Sequence, residues 1–471
     1  MLLRGKTVEI VTNTIALAIV VTLASVTIGT LFASLLFATA SKGRGLLLAL
    51  TALPLAIPSY VFTYTWIAIW PSFRGFWAAA LVLTFSTMPY ILLAAFAALR
   101  RIDKVQVDVA RSLGCNRVQV FFRVIIPQIR NSIAASTLLV ILYVFSDFGA
   151  VSLLGVDTFT RAIQNLYRAS FDRQSAAVLG LILVLFAALL IIAEERVQRR
   201  NVAARAGSRI KEEIPLITKP GARVITFALI SAYSILALAV PGYVLISRML
   251  SNFQGIEFAP LLTATFNTIL VSTLGALIAI FFALPLAWTI IASRSRLALV
   301  TEKVVLITHA LPGVVLGLSL VAVSARFSWL YQTVALLGFA YALLFLAKGV
   351  GATRTSIERV PVGLKEVATT LGVSPLETMR RVTIPLAAPG IGVGFLLILL
   401  TAMKELPATL MLRPTGFDTL AIEIWSQASI NRFNEAAPYA LVLILIAAIP
   451  TFILSRPDRH YQQREARGEE L

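Results

Sequence analysis

The sequence predicts an all-α, polytopic membrane protein made of two homologous halves. Of its 471 residues, 58% are hydrophobic and 14% are charged, with a mean hydropathy of +0.86. Soluble domains carry about 25% charged residues. Apolar runs long enough to cross a bilayer recur along the chain, and several short motifs recur at a nearly constant spacing. This composition excludes a soluble enzyme, a disordered chain and a nucleic-acid-binding domain.

About eleven apolar segments have the length of membrane spans. We place them at 10–40, 46–70, 76–99, 129–155, 176–194, 223–248, 262–292, 302–325, 329–352, 388–412 and 436–455. Thirty Lys and Arg residues fall in one set of alternate loops and ten in the other, so the first set is predicted to be cytoplasmic. The net charge of +18 is then explained mostly by the basic residues of the loops predicted to be cytoplasmic. The N-terminus is expected outside and the C-terminus inside.

An internal repeat organises the chain. The matched positions, 254 or 258 residues apart, are Asn13 with Asn267, Pro54 with Pro312, Gly114 with Gly372, Pro127 with Pro385 and Asp147 with Glu405. Both copies have the same predicted orientation, which indicates a parallel repeat about an axis along the membrane normal. We assign 1–200 to the first repeat, 201–222 to a cytoplasmic linker, 223–455 to the second repeat and 456–471 to a cytoplasmic tail. The span 223–248 has no partner in the first half.

The two repeated cytoplasmic loops predict a helix, a glycine and a second helix. In the second loop, Leu364, Val367 and Leu371 lie on one face of an amphipathic helix that Gly372 ends. Ser374 then begins another helix in a capping box with Glu377. The first loop repeats this design. We call each helix–glycine–helix unit a bracket. Two matched brackets fit two copies of a partner arranged about a two-fold axis. The alternative is that each loop is an amphipathic segment lying on the membrane surface.

The loops 103–127 and 361–385 resemble the EAA loops of binding-protein-dependent ABC importer permeases. The residues that match the motif are Asp108, Ala110, Gly114 and Pro127, and Glu366, Ala368, Gly372 and Pro385. The resemblance implies the type I importer permease fold, with these residues coupling to two ABC ATPase subunits. It also implies a substrate-binding protein outside, a bacterial inner membrane, and ATP bound by the partner subunits rather than by this chain.

Lys404 to Pro414, with Phe417 to Leu420, resembles the ferric-iron branch of these permeases. The resemblance implies ferric iron as substrate, while thiamine, sulfate or molybdate, and polyamines remain open, as does whether the iron is free or chelated. The chain has no P-loop motif and no nucleophile–base constellation, so we predict that it is not an enzyme. An ion-driven secondary transporter is the rival class, although it would not need two matched brackets.

Asp147, Lys404 and Glu405 are ionisable residues within predicted spans, where such groups are costly and mark functional positions. If the helices are straight, both carboxylates lie ~30 Å from the cytoplasmic ends of their spans. We predict that these residues gate the outer mouth of the path, with Lys404 able to reach Asp147. A buried ion pair or a helix end is the alternative role. No metal site is predicted. The outer loops 156–175 and 413–435 are expected to receive the binding protein.

Overall fold

The structure, a computed structural model, describes residues 5–38, 44–102, 104–168, 172–204, 220–292 and 295–455. Every regular element in these ranges is a helix. Nine helices of the described residues are long and apolar enough to cross a membrane, or ten if one bent pair forms a single span. The predicted tail 456–471 and most of the linker 201–222 lie outside the described ranges.

The first half contains ten helices. They are α1 Gly5–Ala38, α2 Arg44–Ala52 with the 3₁₀ turn Leu53–Ala56, α3 Ser59–Ile69, α4 Phe76–Leu99, α5 Lys104–Ser112, α6 Arg117–Val120 with the π-helical turn Phe121–Ile125, α7 Ile126–Ser146, α8 Gly149–Leu154, α9 Phe159–Arg168 and α10 Arg173–Ala204. The long helices α1, α4 and α7 pack side by side.

The second half repeats these ten helices after an additional pair. They are α11 Pro220–Ser234 with the π-helical turn Ile235–Ala239, α12 Val240–Ser251 with the 3₁₀ turn Phe253–Gly255, α13 Phe258–Ala292, α14 Arg296–Ala310, α15 Gly313–Ser324, α16 Val334–Glu358, α17 Val362–Thr370, α18 Pro375–Thr378 with the π-helical turn Met379–Thr383, α19 Ile384–Ala402, α20 Pro407–Leu412, α21 Leu420–Ser429 and α22 Phe433–Ser455. Helices α13 to α22 correspond in order to α1 to α10, which confirms the two-half architecture.

The additional pair α11–α12 packs against the first half. Its polar contacts there are the Tyr233 hydroxyl, which donates to the Phe85 carbonyl oxygen at 3.0 Å, and the Arg248 guanidinium, which donates to the Ala68 carbonyl oxygen at 2.7 Å. The unmatched span therefore belongs to the second half in sequence and packs in space against both the first half and α22.

Two predicted spans are broken rather than straight. Within 46–70, α2 with its 3₁₀ turn meets α3 at 92°, and within 302–325 the chain leaves α14 at Leu311 and restarts at Gly313. Pro58 precedes α3 with ψ 146° and Pro312 precedes α15 with ψ 140°. Because proline lacks an N–H and fits the extended conformation before a helix, each break falls there. The structure thus pairs Pro312 with Pro58, and the match with Pro54 is wrong.

The spans predicted at 129–155 and 388–412 are also interrupted. Helix α7 ends at Ser146 because Asp147 is extended, with ψ 129°, and α19 ends at Ala402. The short helices α8 and α20 follow. Each of these predicted spans is therefore two helices, and both carboxylates lie where one helix ends and the next begins.

Candidate functional site

The first bracket (residues 104–125) has the predicted helix–glycine–helix geometry. Gly114 ends α5 in the left-handed region, with φ +82°. Asn116 and Gln119 then form a reciprocal capping pair: each side-chain oxygen accepts from the other residue's backbone N–H at 2.9 Å. Both ends of the turn are thereby closed by hydrogen bonds, so the bracket is a defined structure rather than an irregular loop.

The second bracket (residues 362–383) repeats this geometry. Gly372 has φ +79°, and the Val373 N–H donates to the Ala368 carbonyl oxygen at 3.0 Å. Ser374 caps α18 by accepting from the Glu377 N–H at 3.3 Å. A π-helical turn joins each bracket to the following long helix, so each bracket continues into α7 or α19 without an intervening loop.

Each bracket buries one face and exposes an apolar one. Ala110 and Ala368 are buried. The matched Leu113 and Leu371 are 79% and 76% exposed, and Asp108 and Glu366, one on each bracket, are also exposed. Pro127 and Pro385 lie in the first turns of α7 and α19. Exposed leucines at matched positions of two rigid brackets indicate surfaces that a partner covers.

Asp147 accepts hydrogen bonds from two elements. Its Oδ1 accepts from the backbone N–H of Ala150 at 3.0 Å and of Val151 at 3.4 Å, which caps α8. Its Oδ2 accepts from the hydroxyl of Ser59, the first residue of α3. The carboxylate therefore connects the N-termini of two short helices, where negative charge is favoured.

Glu405 occupies the corresponding place in the second half. Its Oε1 accepts from the Ala408 N–H at 2.9 Å, and its Oε2 accepts from the Thr409 N–H at 3.0 Å and the Thr409 hydroxyl at 2.6 Å. A Cβ added to Gly313, the first residue of α15, would lie 2.6 Å from Oε1. The carboxylate thus lies against α15 while it caps α20, as Asp147 does between α3 and α8.

Lys404 does not pair with Asp147. Its Nζ donates across the interface between the halves to the Leu55 carbonyl oxygen at 3.1 Å. A second lysine lies close to it. The Lys348 Nζ donates to the Thr401 hydroxyl at 2.9 Å and lies 5.3 Å from the centre of the Phe345 ring. Lys348 lies inside α16, within the span predicted at 329–352.

Aromatic rings meet across the interface between the halves. The rings of Phe148 and Trp425 lie 5.8 Å apart across it, and those of Tyr64 and Phe433 stack at 6.0 Å. Within the described part of the chain, Tyr64 Oη and Trp425 Nε1 are buried without a hydrogen-bond partner. Buried polar atoms normally have partners, so these two atoms give the interface a polar character.

The repeated Asn-Thr motif holds the outer loops. The Asn13 amide donates to the Asp157 carbonyl oxygen at 3.3 Å, and the Asn267 amide donates to the Asp418 carbonyl oxygen at 2.9 Å. In each half the next threonine accepts from the first residue of an outer helix: Thr14 from Phe159 and Thr268 from Leu420. The sequence singled out this motif as a repeat marker, but its partners lie 144 to 152 residues away and could not be predicted.

These features define a transporter with two pseudo-symmetric halves, a polar interface between them and two rigid brackets on one face. The chain belongs to the family of binding-protein-dependent transport system inner membrane components, which it matches twice, over residues 13–202 and 277–467. Both the fused, two-permease architecture and the inner-membrane location are thereby confirmed.

Named relatives cover either the whole chain or one half. The Fe(3+)-transport system permease protein FbpB 2 of Haemophilus influenzae is 34% identical over 463 residues, which is 97% of this chain and 91% of the relative. A probable molybdenum ABC transporter permease of Haloferax volcanii is 33% identical over 40% of this chain and 71% of the relative. A putative 2-aminoethylphosphonate transport permease of Salmonella typhimurium is 30% identical over 43% of this chain and 78% of the relative.

Proposed function

We propose that this chain is the membrane path of an importer for ferric iron, and that two copies of an ABC ATPase drive it. The iron assignment is supported by the Haemophilus relative, because its similarity extends over both halves. The half-length relatives named for molybdenum and 2-aminoethylphosphonate support an oxyanion as the second candidate substrate.

The two brackets support the proposed pair of ATPases. They are matched in length, glycine conformation and exposed leucine, so one kind of partner surface fits both. Asp108, Ala110, Gly114 and Pro127 would couple the first copy, and Glu366, Ala368, Gly372 and Pro385 the second. ATP would be bound and hydrolysed by the partners, and closure of the pair would move both brackets together.

We further propose that Asp147, Lys404 and Glu405 control the outer mouth by positioning helices. Each carboxylate holds two short helices at the point where a span is broken, and Lys404 connects the halves through Leu55. Rocking of one half against the other would change these contacts, and the path would then open toward a docked binding protein. The outer loops, held by the Asn-Thr motif, would form the docking surface.

The test is uptake of radiolabelled iron into proteoliposomes that contain the chain with its ATPase. The binding protein is supplied loaded with ferric iron, with molybdate or without ligand. We expect ATP-dependent uptake of iron only. Uptake of molybdate instead would retain the importer class and change the substrate, and iron uptake without any ATPase would contradict the coupling role of the brackets.

A further inference from the structure

The structure holds two ammonium groups close together inside the membrane-spanning part of the second half. Lys348 donates to Thr401, which lies one turn before Lys404, so both side chains converge near the end of α19. Because Lys404 also reaches Leu55 of the first half, the pair lies at the interface between the halves.

Neither ammonium is neutralised by a carboxylate of the described residues, whose ion pairs involve other side chains. The nearest carboxylate in sequence, Glu405, accepts the N–H groups of its own short helix instead. An ammonium carries three N–H donors, and one donor of each lysine is used, in both cases by a neutral oxygen. Lys348 also lies over the Phe345 ring, but neither ammonium is paired with an opposite charge among the described residues.

The charge of the pair favours an anion. The N-termini of α3 and α15 do not add to it, because the carboxylates of Asp147 and Glu405 already lie there. Two ammonium groups would repel a bare trivalent cation, whereas iron that carries oxyanion ligands would meet complementary charge.

We propose that Lys348 and Lys404 form a binding site for an oxyanion that crosses the membrane together with ferric iron. The inference rests on the proposed iron function and adds the chemical form of the cargo. The anion is either inorganic phosphate or the carboxylates of an organic chelator such as citrate; both present the same oxygen acceptors to the ammonium groups.

The first experiment measures binding of radiolabelled phosphate and radiolabelled citrate to the purified chain in nanodiscs. We compare the wild type with the double variant Lys348→Met, Lys404→Met and with the charge-retaining Lys348→Arg, Lys404→Arg. Lys303→Met, an exposed lysine on α14, is the control. We expect the methionine pair to weaken binding of one of the two probes by about tenfold or more, and the arginine pair and the control to retain it.

The second experiment follows iron and the bound oxyanion in the same proteoliposomes. We expect both labels to enter together, and the methionine pair to abolish entry of both; the label that enters identifies the source of the oxyanion. The inference would be overturned if neither phosphate nor citrate bound in a way that depends on the two lysines. Full iron uptake by the methionine pair would also overturn it. Lysine-dependent binding without iron uptake by the wild type would instead refute iron as cargo and leave the site standing.

Misfolding of the methionine pair is excluded by its thermal unfolding temperature and its recovery as a monodisperse complex. If that variant is unstable, the comparison moves to Lys348→Gln alone. This change retains a donor for Thr401 and leaves the Lys404 contact with Leu55 in place. If Lys348 has only a structural role, oxyanion binding by this variant should therefore be unchanged.

Discussion

Ser59 donates its hydroxyl hydrogen to the carboxylate of Asp147, 88 residues further along the chain. The bond joins the first residue of α3 to the residue that ends α7. The carboxylate also caps α8, so the side chain of Asp147 contacts two helix N-termini while its backbone ends α7. In the second half, Glu405 occupies the equivalent place between α15 and α20. Each intramembrane carboxylate therefore stabilises helix ends at a point where a span is broken.

Replacement of Asp147 should separate this structural role from a role in binding substrate. Asp147→Ala removes the acceptor for Ala150, Val151 and Ser59, and we expect a loss of about 1–3 kcal/mol of stability. Asp147→Asn keeps a side-chain oxygen that can cap α8, so this variant should retain most of the stability of the wild type. Thermal unfolding in detergent measures the difference. A stable Asp147→Asn variant that transports nothing would show that the charge itself is needed.

The matching change, Glu405→Gln, should behave like Asp147→Asn because Glu405 accepts equivalent backbone N–H groups. The double variant Asp147→Asn, Glu405→Gln is therefore expected to fold and to keep a measurable part of its transport. If either single change abolished folding while the other did not, the two halves would not be equivalent at this position.

The sequence predicted the repeat, both brackets and the matched pair of carboxylates, because these depend on local patterns. Gly114 and Gly372 end their helices as predicted, with positive φ. Pro58 and Pro312 lie within predicted spans, where a proline predicts a kink, but the sequence does not give its angle, which is 92° between α2 with its 3₁₀ turn and α3. Lys348 falls within the span predicted at 329–352, but its partner on α19 could not be predicted.

The partners of the singled-out residues could not be predicted. Lys404 bonds to Leu55 and Asp147 bonds to Ser59, and no local pattern connects residues so far apart in sequence. The opposite charges of Lys404 and Asp147 suggested an ion pair. The N-termini of α3 and α8 supply the hydrogen-bond donors to Asp147, however. A carboxylate that already accepts several hydrogen bonds is stabilised little further by an ammonium that does not contact it.

The conformation of Gly372 gives a test of the second bracket. An added Cβ at Gly372 would meet nothing within 4 Å, so a substitution acts through the backbone, at about 1–2 kcal/mol for most residues. Gly372→Val should uncouple ATP hydrolysis from transport, whereas Gly372→Asn should retain coupling because asparagine tolerates the left-handed region. ATPase and uptake rates of the complex are compared. Equal coupling in both variants would contradict the requirement for a rigid bracket.

The exposed leucines give a test of the partner surface. Leu113→Asp and Leu371→Asp should leave the thermal unfolding temperature of the chain unchanged, because both side chains are mostly exposed. Each change should reduce co-purification of the ATPase, since a charge would enter an apolar contact. Ser112→Asp, an exposed change at the last residue of α5 and next to Leu113, is the control. Full recovery of ATPase with both aspartates present would place the contact elsewhere.

The Asn-Thr motif predicts how the outer loops are held. Asn267→Ala removes the donor to the Asp418 carbonyl oxygen, and Asn13→Ala removes the donor to that of Asp157. Each change should cost about 0.5–1.5 kcal/mol locally, so we expect faster hydrogen exchange in 413–435 for the first variant and in 156–168 for the second. Thr263→Ala, an exposed residue on α13, is the control. If these loops receive the binding protein, both asparagine variants should also lower its stimulation of ATP hydrolysis; faster exchange with normal stimulation would place docking on another surface.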